Sequence, residues 1–288
     1  MGAITTLAKR ANTFAKDTRK HHEEALDGGT IAILPGHPVI TTQLSDMLGI
    51  PAGDRPSADL LVIPLGMADD ARAAALEAAA RARQDRRTLV VVIAPASRRG
   101  AREAQVLSEP DVTIGDLTFA PDVESEESQR VISDAIVRAL GVHKVAAARR
   151  YPSLRDAVRR DIVAAAARES AVAGALNWFS GASAAQLRMV VRTGSAEGHQ
   201  LDARRLPEIA AAVGSGLVIA GVARGASLVV PAPRWMVRGA VAWASTVALA
   251  AATDRIAQQM GEGHLPADPR GAVRSLLHRV RKGRKEKN

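Results

Sequence analysis

The sequence contains no cysteine, so disulfides, thiolate zinc sites and cysteine nucleophiles are all excluded; this suits a reducing compartment without requiring one. Aromatic side chains make up only 2% of the 288 residues, too few for a surface that would grip single-stranded nucleic acid by base stacking. The first 24 residues hold no apolar run of secretory-signal length, and a cleaved leader is not expected. Nucleophile-elbow (GxSxG), zincin (HExxH) and EF-hand motifs are also missing, which removes the common sequence signatures of hydrolase and calcium chemistry.

What remains has a globular composition, 47% hydrophobic and 24% charged, in a length that suits two domains. The net charge is +9. Its excess sits mostly in one tail, where Arg270, Arg274, Arg279, Arg281, Lys282, Arg284, Lys285 and Lys287 stand against Glu286 alone, a net of +7 between Arg270 and Asn288. Such a block either stays solvated or touches an anionic partner. Near the start, Ile4, Leu7, Ala11 and Phe14 recur at helical spacing beside Lys9, Arg10, Lys16 and Arg19. A helix within residues 1–27 follows, packed on its own domain or lying on a membrane.

Residues 28–142 alternate short β-branched runs with longer helical stretches. Thr30–Leu34, Leu60–Leu65 and Leu89–Ala94 read as buried parallel strands, with a weaker one near Val112–Ile114. Ala68–Arg87 reads as a helix, and Glu126–Leu140 as another with Val131, Ile132, Ala135, Ile136 and Leu140 on one face. The expectation is an α/β domain with a short parallel sheet.

Residues 143–262 read as an all-α domain. Leu154, Val158, Ile162, Ala165, Val172 and Leu176 form a helical stripe opposed by Arg155, Arg159, Arg160 and Arg168, and a further helix covers Ala184–Thr193. A final helix is expected from Arg234 to Met260. Ile209–Ala223 and Gly239–Thr253 are each 15 residues without charge, short of the roughly 20 that span a bilayer. They form a Gly/Ala-rich hairpin that is either buried core or attached to a membrane. Gly221 and Gly225 make a GxxxG, and Ala240, Ala244, Ala248 and Ala252 repeat every four residues, spacings that let helices approach closely. Residues 263–288 form the basic tail.

The expected α/β region invites comparison with nucleotide-binding folds, whose phosphate loop GxxxxGK[ST] follows the first strand. Gly36 stands at the first glycine, but Thr41 and Thr42 replace the glycine and lysine, Gln43 takes the magnesium-binding position, and Pro38 removes an amide donor. The loop is a degenerate version of that motif, with Gly36, Thr41 and Thr42 as weak anion-binding candidates. Pro95-Ala96-Ser97-Arg98-Arg99 follows the third strand, where a GTPase carries its guanine-reading Asn-Lys-x-Asp. His21-His22-Glu23-Glu24 points in different directions on a helix and reads as a solvated face. His37, His199 and His264 have no nucleophile beside them. No catalytic residue, metal ligand or cofactor is assigned.

Tyr151-Pro152-Ser153-Leu154-Arg155, Ala171-Val172-Ala173-Gly174-Ala175-Leu176 and Gln186-Leu187-Arg188-Met189-Val190 resemble the YcjF-like bacterial domain of unknown function, often found behind a GTPase-like domain. The resemblance covers residues 145–258; Ser180-Gly181-Ala182-Ser183 departs from the family's Pro-x-x-Asp-like turn. It implies a helical, membrane-associated domain with no established activity and no site to carry over. The expectation is a non-catalytic, pseudo-GTPase-like scaffold or adaptor at the cytoplasmic face of a bacterial membrane, bound to an anionic membrane surface or a protein partner. Two alternatives stand beside it: a divergent nucleotide hydrolase, and nucleic-acid binding through the basic tail. Homo-oligomers are compatible with the small-residue faces.

Overall fold

The computed structural model describes residues 27–35, 37–53, 57–66, 87–101, 117–176, 179–197 and 233–261. Four parallel strands, β1 (Ile31–Ile33), β2 (Leu60–Leu65), β3 (Arg87–Ile93) and β4 (Leu117–Ala120), lie side by side in chain order. The register aligns Ile33 with Val62, Val62 with Leu89, and Val90 with Leu117. The first three strands match the β-branched runs. β4 is a strand the sequence reading did not single out, whereas Val112–Ile114 and residues 68–86 of the expected helix lie outside the described residues. Arg87 opens β3 instead of closing that helix.

Side-chain alternation along the strands makes two apolar faces. Ile31, Ile33, Leu60, Val62, Leu89 and Val91 pack with α1 (Pro38–Leu48) and α2 (Glu126–Leu140), while Ala32, Leu61, Ile63, Val90 and Val92 form a second buried cluster. Both faces being buried explains why the strands read as unbroken apolar runs. α1 ends at Gly49, whose φ of +67° suits glycine, and its last carbonyls are taken by the amides of Gly49 and Ile50. α2 begins where Ser125 accepts the amide of Ser128 at 3.3 Å and Glu126 and Glu127 fill the first turn. Ile132, Ala135, Ile136 and Leu140 of its expected face are buried, and Val131 is exposed.

Helices then dominate: α3 (Lys144–Arg150), α4 (Arg155–Ala175), α5 (Phe179–Ala196) and α6 (Arg234–Gly261). No break separates α3 from the sheet, because Ala147, Tyr151 and Leu154 belong to the same core cluster as β1 and α1. The chain forms two compact units, Met1–Thr246 and Val247–Asn288. In α4 the buried face runs through Val158, Ile162, Ala166, Ser170, Ala173 and Gly174. Ala165, Val172 and Leu176 of the expected stripe are exposed. The reason is that small residues, not Val172 and Leu176, meet the neighbouring helices.

α6 crosses α4 there. A methyl group on Gly174 would lie 2.7 Å from Ala242 Cβ and 2.9 Å from the Arg238 carbonyl oxygen, and one on Gly239 would lie 3.1 Å from the Ala171 carbonyl oxygen. A side chain at Gly174 would force the helices to shift, and one at Gly239 would press on the Ala171 carbonyl. Beyond the crossing, buried Gln186 of α5 donates from Nε2 to Ser245 Oγ at 3.0 Å and Thr246 Oγ1 at 3.1 Å.

Candidate functional site

The loop after β1 is the place where a phosphate would meet this sheet. His37 is the N-cap of α1 in an extended conformation and makes no capping bond through its side chain, and Pro38 follows as the first helical residue. Thr41 therefore falls one turn inside the helix, buried, with its amide committed to the His37 carbonyl at 2.9 Å. The Thr42 hydroxyl donates back to the Pro38 carbonyl at 3.0 Å, and Gln43 Nε2 donates to Glu124 Oε1 at 2.9 Å. Gly36 lies outside the described residues. The bonds of the Thr41 amide and the Thr42 hydroxyl run within α1 and its cap, and that of Gln43 runs to the loop before α2. His37 Nδ1 is enclosed without a hydrogen-bond partner among the described residues.

Carboxylates near the sheet have structural partners. Asp59 accepts from the Thr30 amide at 2.9 Å and the Thr30 hydroxyl at 2.7 Å, tying the start of β1 to the start of β2. Partial burial pushes the Asp59 carboxyl up, but the Thr30 and Gly29 bonds and the charge of His143 outweigh it and hold the group below its ordinary value. Asp122 is held low by the amide and hydroxyl of Ser125 at the head of α2. Both shifts arise from capping and register contacts. Among the described residues, no group of three His, Asp or Glu side chains is placed to hold a metal ion.

Between α4 and α5 a cavity of about 140 Å³ is lined by Arg155, Asp156, Arg159, Thr193, Ala196 and Glu197. Arg159 reaches Asp156 at 2.5 Å and Glu197 at 4.0 Å, and Arg155 Nε donates to the Ala148 carbonyl at 3.3 Å. Lys144–Asp161 at 2.5 Å and Arg160–Asp134 at 2.7 Å likewise fasten α3 and α2 to α4. These ion pairs hold helices together and leave the cavity with balanced charge.

The expected small-residue face of α6 turns outward: Ala240, Ala244 and Ala248 are exposed. Packing instead uses Gly239, Ala242, Ser245 and Thr246. The sequence repeat of alanine identified the helix but not its buried face, because Gly239 and Ala242 allow a closer contact. Ala252 lies on the same helix. Gly221, Gly225, the Ile209–Ala223 stretch, Arg270, Arg274, Arg279, Arg281, Lys282, Arg284, Lys285 and Lys287 lie outside the described residues, as do the His21–Glu24 group, His199 and His264. No described helix is long and apolar enough to cross a membrane.

Sequence reasoning passed over Trp235, Met236 and Trp243, which are exposed on α6 although aromatic residues are scarce in this chain. Their signal was available in the sequence, as two of only three tryptophans within nine positions. No protein-family model, curated protein or solved structure matches this chain.

Proposed function

We propose that this protein is a non-catalytic scaffold or adaptor that works at an anionic membrane surface, with its α/β region serving as a folded support. The observation that carries the reading is charge asymmetry. Residues 209–288 hold twelve basic and four acidic side chains, against 27 and 26 in residues 1–208. A near-neutral body with one strongly cationic end is suited to oriented adsorption on anionic headgroups. The resemblance of Tyr151–Arg155, Ala171–Leu176 and Gln186–Val190 to the YcjF-like domain adds to this reading.

The non-catalytic half of the proposal draws on the loop after β1. The Thr41 amide and the Thr42 hydroxyl bond within α1 and its cap, and the described strands follow chain order without the reversal that creates a ligand crevice in open α/β sheets. A pseudo-GTPase-like descent is compatible with this arrangement only as a support stripped of phosphate grip. Calorimetry with magnesium nucleotides tests it: no heat is expected up to about millimolar concentration, the weak limit of specific binding. Saturable binding would return the divergent-hydrolase alternative.

Flotation with anionic liposomes tests the membrane half. The full chain is expected to float at low salt and to lose most binding at high salt or after truncation at residue 269, since exposed charges are screened. Binding of nucleic acid with a steep salt dependence, and no flotation, would replace the membrane by that partner.

A further inference from the structure

We infer that the crossing of α4 and α6 presents an apolar docking face that inserts into the interface of an anionic phospholipid bilayer; this rests on the membrane reading above and names its contact surface. Of the large exposed hydrophobic side chains among the described residues, five cluster at this crossing. Val172 is 60% and Leu176 72% exposed on α4, and Trp235, Met236 and Trp243 are 59, 49 and 48% exposed on α6.

Their placement follows from the helix contacts. Gly239 meets Ala171 and Ala175, and Gly174 meets Arg238 and Ala242. The helices run in opposite directions. Arg238 and Ala242 lie beside the C-terminal end of α4, and further along α6 Ser245 and Thr246 reach Gln186, one turn beyond the Ala182 carbonyl that faces Ser170. In an antiparallel pair of right-handed helices, residues one step after each contact line turn toward the same side of the pair. Val172 and Leu176 follow Ala171 and Ala175, while Ala240 and Trp243 follow Gly239 and Ala242. Met236 stands one turn before Ala240 and two before Trp243, so Val172, Leu176, Met236, Trp243 and the outward Ala240 share one flank, and Trp235 is exposed next to Met236 at the head of α6.

Charge selects the occupant. Among the described residues Arg168 is exposed one turn before Val172 on α4, Arg234 is exposed at the head of α6, and no acidic residue falls between Arg234 and Thr253. Exposed tryptophan and methionine beside arginine, on a helix whose other side is held by Gln186 and Gly174, match a headgroup-level anchor: the rings take the acyl boundary and the guanidinium groups the phosphates. The proposed contact is lateral, made by the flank of α6 that carries Met236 and Trp243.

Full-length chains carrying Trp243→Glu or Met236→Glu test this on vesicles of phosphatidylglycerol and phosphatidylcholine. Val142→Glu, at an exposed site on the turn before α3, controls for the added charge. Burial of one such side chain stabilises binding enough that each patch variant should lose at least about tenfold in vesicle affinity, with the control changing by less than about threefold. Native-like circular dichroism of the variants keeps loss of folding apart from loss of contact. Equal binding by all four chains overturns the patch while leaving tail-driven adsorption intact. No binding even by the parent chain overturns the membrane reading itself. Unchanged vesicle affinity with dissociation of an oligomer, seen in sedimentation, would assign the face to a second copy.

Discussion

The hydroxyl of Tyr151 accepts the backbone amide of Ile31 at 3.2 Å, joining the entry to the helical region to the first strand across 120 residues. β1 pairs with β2 on one side only among the described strands, so its outward amide needs another partner. Tyr151 supplies it inside the core, and the Gly53 amide takes the Ile33 carbonyl at 2.8 Å on the same edge. Tyr151→Phe keeps the ring and orphans a buried donor. It should lower unfolding stability by about 1–3 kcal/mol in urea titrations at neutral pH. A loss under about 0.5 kcal/mol would mean that the amide finds another partner.

Gly174→Ala tests the close helix approach. Alanine improves helix propensity by up to about 1 kcal/mol, but a methyl here meets Ala242 and the Arg238 backbone. Forced separation of the helices costs roughly 1–3 kcal/mol, so the variant should be less stable than the parent. Ala242→Gly in the same chain should recover part of the loss. A double-mutant cycle with no coupling would count against the contact.

Gln186 makes a sharper case because its two acceptors have other bonds. Ser245 Oγ and Thr246 Oγ1 each donate to the Ala242 carbonyl, at 2.8 and 2.9 Å. Gln186→Leu keeps volume without stranding either hydroxyl, and should cost clearly less than Gln186→Ala, for which about 1–3 kcal/mol is expected. Thermal unfolding of both variants distinguishes the outcomes, and equal losses would place the weight on the hydrogen bonds.

Asp59 contributes a pH-dependent term. Its carboxyl is held below the ordinary value of 3.8, so its contribution is present above that value and is lost as pH falls through the lower folded-state value. Asp59→Asn should cost about 1 kcal/mol or less at neutral pH, since the site is partly open to solvent. The difference between parent and variant should shrink on acidification. A difference that stays constant down to strongly acidic pH would show that the charge is not what matters.

Ser125→Ala removes the cap of α2. The expected loss is about 1 kcal/mol, with Ser125→Gly costing less. Unfolding in urea measures both.

Local chemistry made much of the architecture legible. β-branched runs marked β1 to β3, and the apolar spacing of Glu126–Leu140 marked α2, because strand and helix periodicities are written directly into side-chain order. The departure of Thr41, Thr42 and Gln43 from a phosphate loop was equally visible. β4 was harder to read, since Leu117–Ala120 is only four residues with one aromatic and no β-branched run.

Which face of a helix is buried was decided in three dimensions. Val172 and Leu176 look like core positions along the chain, and Ala240, Ala244 and Ala248 look like a contact stripe, yet all are exposed. The sequence on its own determined element types, the missing catalytic motifs and the position of the cationic end, since each depends on residues close together in the chain. Only the tertiary structure decided that Tyr151 seals β1, that Gly174 and Gly239 set the helix crossing, and that Trp243 is turned outward, because each depends on how closely distant backbones approach.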